Sequence, residues 1–120
     1  MLSWRKSISR PQRAPSDSAF RDRVRVALQK ALIGQITPAM RLVSVEAVES
    51  RLAVIVFFDR DLSHDDRDDF VDEVASCVGV ELGDPPRGPA VACHFVRCDE
   101  PQRVPVRGEV VFARKGVLTY

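Results

Sequence analysis

The sequence predicts one α+β domain, a four-stranded and mainly antiparallel sheet with two helices on one face, in the order α-β-β-α-β-β. The chain of 120 residues is long enough for one hydrophobic core and too short for two ordinary domains. Its content of 45% hydrophobic and 29% charged residues is typical of a folded domain. Two segments repeat apolar residues at helical spacing, and four short runs are rich in β-branched and aromatic residues.

Residues 1–16 are predicted to form a flexible basic arm, and residues 17–120 the single folded domain. The arm contains Pro11 and Pro15, no acidic residue, and apolar residues too scattered to bury. It lacks the apolar stretch of a secretory signal, and the longest apolar run of the chain, Leu52–Phe58, is far shorter than the roughly 20 residues that cross a bilayer. We therefore expect a cytoplasmic protein with no membrane partner, although an organelle transit peptide or an over-extended start codon would give a similar start.

The first helix is predicted over residues 19–33, where apolar residues recur every three to four positions. Asp17 or Ser18 can cap its start, and Gly34 can end it. The opposite face of the helix carries the basic residues Arg21, Arg25 and Lys30. Such a face is usually the solvated side of an amphipathic helix.

The next two elements are predicted strands, Leu42–Val48 and Leu52–Phe58. The short polar break of residues 49–51 between them predicts a hairpin. The second run lacks polar alternation, which places it in the middle of the sheet with little water on either face. The first run alternates better, so we expect it nearer an edge.

Ser63 followed by Asp66 is close to a capping box and predicts the start of the second helix. Its apolar stripe consists of Phe70, Val71, Val74, Ala75 and Val78. Gly79 is the predicted end of this helix. The last two strands are predicted at Ala90–Val96 and Glu109–Arg114, with proline residues in the connection between them.

Charge is distributed unevenly along the chain, although the formal net charge is only +1. Residues 1–30 contain eight basic side chains against two acidic ones, and residues 59–73 contain eight acidic side chains against two basic ones. A concentrated negative field steers a basic partner and raises its association rate. We therefore predict the acidic segment as the partner-binding site. Its members are Asp59, Asp61, Asp65, Asp66, Asp68, Asp69, Asp72 and Glu73.

Signatures of catalysis are absent from the sequence: it contains no nucleophile elbow, P-loop, dinucleotide fingerprint or zincin motif. Cys93 and His94, with Asp99 nearby, are the best candidates, but neighbouring residues of a strand point to opposite faces. His64 with Asp65, Asp68 and Asp72 could bind a divalent cation, since positions 64, 68 and 72 line one helical face, but a hydrated acidic face is the commoner case. We predict no catalytic residue, no metal site, no cofactor and no enzyme activity.

Three cysteines without a CxxC pair indicate a reduced setting rather than a disulfide framework. Cys77 and Cys93 are predicted to be small core residues. Cys98 lies among charged residues, so we expect a partly exposed thiol there.

A family resemblance is carried by the stretch at residues 31–45, ALIGQITPAMRLVSV. It resembles the string ALLG-x-(I/V)-x-x-x-(L/M)-R-x-V that leads into a hairpin in a group of small bacterial proteins. Further blocks are similar, namely Phe57–Asp59, Asp65–Asp66 before a helix, and residues 108–115, GEVVFARK. The group consists of immunity proteins of contact-dependent growth-inhibition and related polymorphic toxin systems, and the resemblance spans about residues 20–115.

The resemblance implies a non-enzymatic inhibitor that binds one cognate toxin, through the toxin's C-terminal domain, inside the producing cell. It carries over no catalytic residues. The alternative function is a nucleic-acid-associated accessory protein that uses the basic arm and first helix for phosphate contacts. No helix-turn-helix or RNP string accompanies that charge, so we expect a protein partner rather than nucleic acid.

Overall fold

A computed structural model describes residues 10–117, with side chains from residue 18 onward. Its elements are α1 (Arg10–Leu32), β1 (Met40–Val48), β2 (Arg51–Phe58), α2 (His64–Leu82), β3 (Ala90–Arg97) and β4 (Glu109–Ala113). The predicted fold class and element order are confirmed. The first nine residues of the predicted arm lie outside the described residues, and residues 10–16 form the start of α1.

The four strands form one mixed sheet in the order β3-β2-β1-β4. β1 is antiparallel to β2 and to β4, whereas β2 is parallel to β3. The parallel pair follows from α2, which carries the chain back along the sheet before β3 begins. The sheet is therefore mainly antiparallel, as predicted, with one parallel edge.

Both helices pack on the same face of the sheet. Phe70, Val74 and Val78 of α2 are fully buried there, together with Leu28 and Ala31 of α1. The sheet residues beneath them include Val43, Val45, Val54 and Val56. These helices are held mainly by the burial of their apolar stripes.

The opposite face of the sheet is covered by the connection between β3 and β4. Leu42, Ile55 and Phe57 pack there against Cys98 and Val104 of that connection. The connection crosses the whole sheet, because β3 and β4 lie at opposite edges. Consequently β1 and β2 are buried on both faces.

The interior position predicted for β2 is confirmed, but the position nearer an edge predicted for β1 is wrong. β1 lies between β2 and β4, and its first six residues are buried. Ser44, one of the two polar residues that make this run alternate, is itself buried. Arg41 is also 0% exposed, and its Nη1 donates to the carbonyl oxygens of Cys98 (2.7 Å) and Gln102 (2.9 Å). The connection thus supplies the polar partners that make a buried Arg41 possible.

The predicted start of α2 is confirmed, and its predicted end is wrong. Ser63 is the N-cap, and its Oγ accepts a hydrogen bond from the Asp66 N–H at 3.1 Å. The helix continues through Gly79 to Leu82 and is capped by Gly83, whose φ of 94° suits glycine. α1 also begins earlier than the predicted cap at Asp17 or Ser18, at Arg10.

Candidate functional site

The predicted acidic site lies where β2 leads into α2. Asp59 follows the end of β2, Asp61 lies in the link, and the other six acids lie within the first ten residues of α2. The N-terminal end of a helix carries partial positive charge, which favours acidic side chains in its first turn. The eight residues are thus close along the chain, but their surroundings differ.

Asp59 is part of an ion pair that joins the ends of two strands. Its carboxylate accepts hydrogen bonds from Nη2 of Arg114 at 2.5 Å and from Nη1 at 3.3 Å. Its side chain is only 8% exposed. The hydrogen bond from Arg114 holds the pKa of Asp59 below its usual value. Arg114 also donates to the Pro38 carbonyl at 2.9 Å, so this pair fastens the segment after β4 to the sheet.

Asp61, Asp66 and Glu73 are set apart from the other acids, Asp61 by an ion pair and Asp66 and Glu73 by partial burial. Asp61 is fully exposed, with an oxygen 3.6 Å from Nη1 of Arg97. Asp66 is half-buried and supplies the backbone N–H of the helix cap. Glu73 accepts a long hydrogen bond from the Cys77 thiol at 3.6 Å.

The remaining four acids, Asp65, Asp68, Asp69 and Asp72, form what we call the acidic surface. All four are exposed. Within residues 18–117, no basic side chain lies within 4.0 Å of any of their carboxylates. The acidic surface therefore carries negative charge that the described part of the chain does not compensate by direct contact.

Arg67 lies between these acids in sequence but directs its charge elsewhere. Its Nε donates to the Leu62 carbonyl at 3.3 Å. Its guanidinium lies over the rings of Phe58 and Phe95, at 5.1 and 5.5 Å from their centres. This cation–π arrangement holds the positive charge against the sheet and away from the acidic surface.

Among the described side chains of α1, from residue 18 onward, the basic ones are Arg21, Arg23, Arg25 and Lys30, which we call the basic face. Nε of Arg25 donates to Glu109 of β4 at 2.6 Å, and Nζ of Lys30 lies 3.5 Å from the carboxylate of Glu81. Arg23 donates to the carbonyl oxygen of Glu81. Much of the basic face is therefore engaged by α2 and β4, which leaves less charge for the nucleic-acid alternative.

The candidate catalytic pair is separated by the sheet, as the strand geometry predicts. Cys93 packs against the helix-side core, whereas the neighbouring His94 is exposed. Burial raises the pKa of the Cys93 thiol to about 11, so it is protonated at neutral pH and is a weak nucleophile. Within the described residues, no group of three or more His, Cys, Asp or Glu side chains is arranged to hold a metal ion.

The cysteine predictions have mixed outcomes. Cys77 and Cys93 are partly buried against the core, in keeping with the prediction. The expected exposure of Cys98 is wrong, since this residue is buried and its sulfur lies 3.4 Å from Nη1 of Arg41. Its charged sequence neighbours gave the wrong indication, because the connection folds back onto the sheet.

Among residues 10–117, no helix has the length and apolar character needed to cross a membrane.

A search of curated proteins finds no match to the chain. A family model described as MafI2 immunity protein matches residues 21–116. The matched region contains all four strands, α2 and most of α1, and it agrees with the extent of the resemblance to immunity proteins of polymorphic toxin systems. The chain therefore belongs to the MafI2 immunity protein family.

Proposed function

We propose that this chain binds and neutralises one cognate bacterial toxin domain in the cytoplasm, and that the acidic surface makes the main electrostatic contacts. Membership of an immunity protein family supports the class of function. The observation that carries the choice of surface is the set of four exposed carboxylates without an ion-pair partner among the described residues. The proposal needs no catalytic group and no cofactor.

Exposed and uncompensated charges act at long range. Like charges grouped on one helix create a potential that draws a basic surface into encounter and suppresses acidic competitors. By contrast, a carboxylate that is paired with an arginine produces only a weak electrostatic potential at a distance, because the two charges largely cancel. This difference ranks Asp65, Asp68, Asp69 and Asp72 above Asp59 among the eight predicted contacts.

The acidic surface is also held in a fixed position. Phe70 and Val74, on the same turns of α2, are 0% exposed in the helix-side core. Ser63 caps the helix immediately before these turns. Binding to a surface that is already rigid loses little conformational entropy, so charged side chains on such a surface contribute more to affinity.

The test measures association of the purified chain with the toxin domain encoded by the neighbouring gene, at low and high salt. We expect Asp68→Lys/Asp69→Lys to slow association by about tenfold at low salt, and by less at high salt, because exposed charges are screened beyond roughly 10 Å at 0.1 M. Glu49→Lys is the control. It reverses an exposed acid in the β1–β2 turn, at the opposite end of β2 from α2.

Two outcomes would count against the proposal. If no neighbouring toxin domain binds or is neutralised, the immunity function is contradicted. If the toxin binds and the double variant associates as fast as the wild type, the interface lies away from the acidic surface.

A further inference from the structure

The outer edge of β3 has no hydrogen-bonded neighbouring strand among residues 10–117. The Ala90 N–H donates to Ser50 at 3.1 Å, and the Cys98 N–H donates to Phe58 at 2.8 Å. Between these two bonds the β2–β3 register has no bulge. Even-numbered residues therefore direct their N–H and C=O groups towards β2, and odd-numbered residues direct theirs outward. The outward residues are Val91, Cys93, Phe95 and Arg97.

The two edges of the sheet are protected to different degrees. β4 has only five residues, and its pairing with β1 contains a register shift between Val43 and Ser44. β3 has eight residues in regular register and contains neither proline nor lysine. Short length, bulges, proline and charged residues are among the features by which proteins block sheet edges. Apart from Arg97 at its end, β3 lacks these features, so its edge can accept another strand.

The first turns of α2 lie above the Phe95 end of this edge. The rings of Phe70 and Phe95 are 5.8 Å apart in an edge-to-face arrangement. Ala75 of α2 lines a cavity together with Ala90 and Val91 of β3. At about 100° per residue, Asp68 and Val71 lie on the same side of α2 as Ala75, the side above the β3 edge.

This arrangement defines the chemistry of an added strand. Val71 is 38% exposed on the helix side of the edge, and Val96 is 39% exposed on the opposite side of the sheet. An added strand could therefore bury apolar side chains on both of its faces. At the Phe95 end of the edge it would pass the uncompensated carboxylate of Asp68, which matches a lysine or arginine.

We propose that the β3 edge accepts an extended segment of the toxin domain as a fifth strand, and that this segment carries apolar residues and a basic residue near its end. The inference rests on the proposed function and adds the mode of binding. Backbone hydrogen bonds from the four outward residues supply affinity, and the flanking side chains supply selectivity.

Residue-resolved amide exchange on the full chain, with and without the toxin domain encoded by the neighbouring gene, tests the proposal. We expect exchange at residues 91, 93, 95 and 97 to slow by about tenfold or more in the complex. The amides of residues 92, 94 and 96, already bonded to β2, serve as internal controls. A complex that leaves the outward amides unchanged would overturn strand addition while leaving the immunity function intact.

Two further outcomes would also be decisive. If no complex forms, strand addition and the immunity function are both overturned. If the outward amides of the free chain gain protection as its concentration rises, the edge is occupied by a second copy of this chain.

A matched pair of proline variants gives a second readout. Cys93→Pro removes an outward N–H of β3, and Ala113→Pro removes the outward N–H of β4, next to the Arg114 N–H that bonds to Arg41. We expect Cys93→Pro to weaken toxin binding by about tenfold and Ala113→Pro to leave it nearly unchanged. Equal affinities of two folded variants would overturn the proposal, and if Cys93→Pro does not fold, the exchange measurement decides.

Discussion

The basic face of α1 and the acidic surface of α2 come from segments of equal and opposite charge, but the fold treats them differently. Arg25 and Lys30 of the basic face contact Glu109 and Glu81 of other elements. The four aspartates of the acidic surface have no such contact among residues 18–117. The comparison shows that a segment with a high charge in the sequence does not always form an uncompensated surface, because residues distant in sequence can pair with its side chains.

The largest expected effect is a difference in the free energy of unfolding between a variant of the ion-paired Asp59 and a variant of the uncompensated Asp68 and Asp69. We expect Asp59→Asn to lower the free energy of unfolding by about 2 kcal/mol, because it leaves the partly buried Arg114 without its closest anion. We expect Asp68→Asn/Asp69→Asn to change it by less than about 0.5 kcal/mol. Urea unfolding of both variants measures the difference. Equal losses would show that the acidic surface is part of the stabilising network after all.

The pH dependence of stability sharpens the same contrast. Arg114 lowers the pKa of Asp59 in the folded state. The ion pair therefore contributes fully to the free energy of unfolding at pH values above the unfolded-state pKa of about 3.9, and this contribution is lost as the pH falls through the lower folded-state pKa. The difference in unfolding free energy between wild type and Asp59→Asn should be constant from about pH 5 to pH 8 and shrink below about pH 4. Unfolding curves across that range provide the measurement. A difference that persists undiminished at pH 2 would contradict the assigned pair.

The smallest expected effect concerns the basic face. Glu81→Gln/Glu109→Gln removes the carboxylates that contact Lys30 and Arg25. If these contacts keep the Lys30 and Arg25 side chains from binding phosphates, the variant should release about two more counterions when it binds duplex DNA. A plot of the logarithm of the binding constant against the logarithm of the salt concentration should then have a slope that is more negative by about two. Fluorescence anisotropy at several salt concentrations gives that slope. An unchanged slope would indicate that the Lys30 and Arg25 side chains are already able to contact DNA in the wild-type protein.

Local features of the sequence predicted the elements well. The apolar periods identified both helices, and Ser63 with Asp66 identified the start of α2. The end of α2 was missed because Gly79 is tolerated inside a helix whose neighbours Val74 and Val78 are buried. The alternation of β1 gave the wrong position for this strand, because alternation indicates exposure only if one face of the sheet meets water, and Ser44 is buried.

The candidate site was predictable as a group of residues but not as a surface. All eight acids are visible in the sequence, and six of them share the first ten residues of one helix. Which of them form ion pairs depends on residues distant in sequence. Asp59 meets Arg114 across 55 positions of sequence, and no local pattern indicates that pairing.

The sequence by itself determined the helices and strands, the α2 cap, the charge segregation and the resemblance to immunity proteins, because these depend on spacing within a few residues or on short strings. Only the tertiary structure decided the strand order, the burial of Arg41 and Cys98, the position of β3 at a sheet edge, and which charges of residues 18–117 form ion pairs. The physical reason is distance along the chain. Arg25 and Glu109 lie 84 positions apart, and their contact exists only because β4 pairs with β1 beside α1.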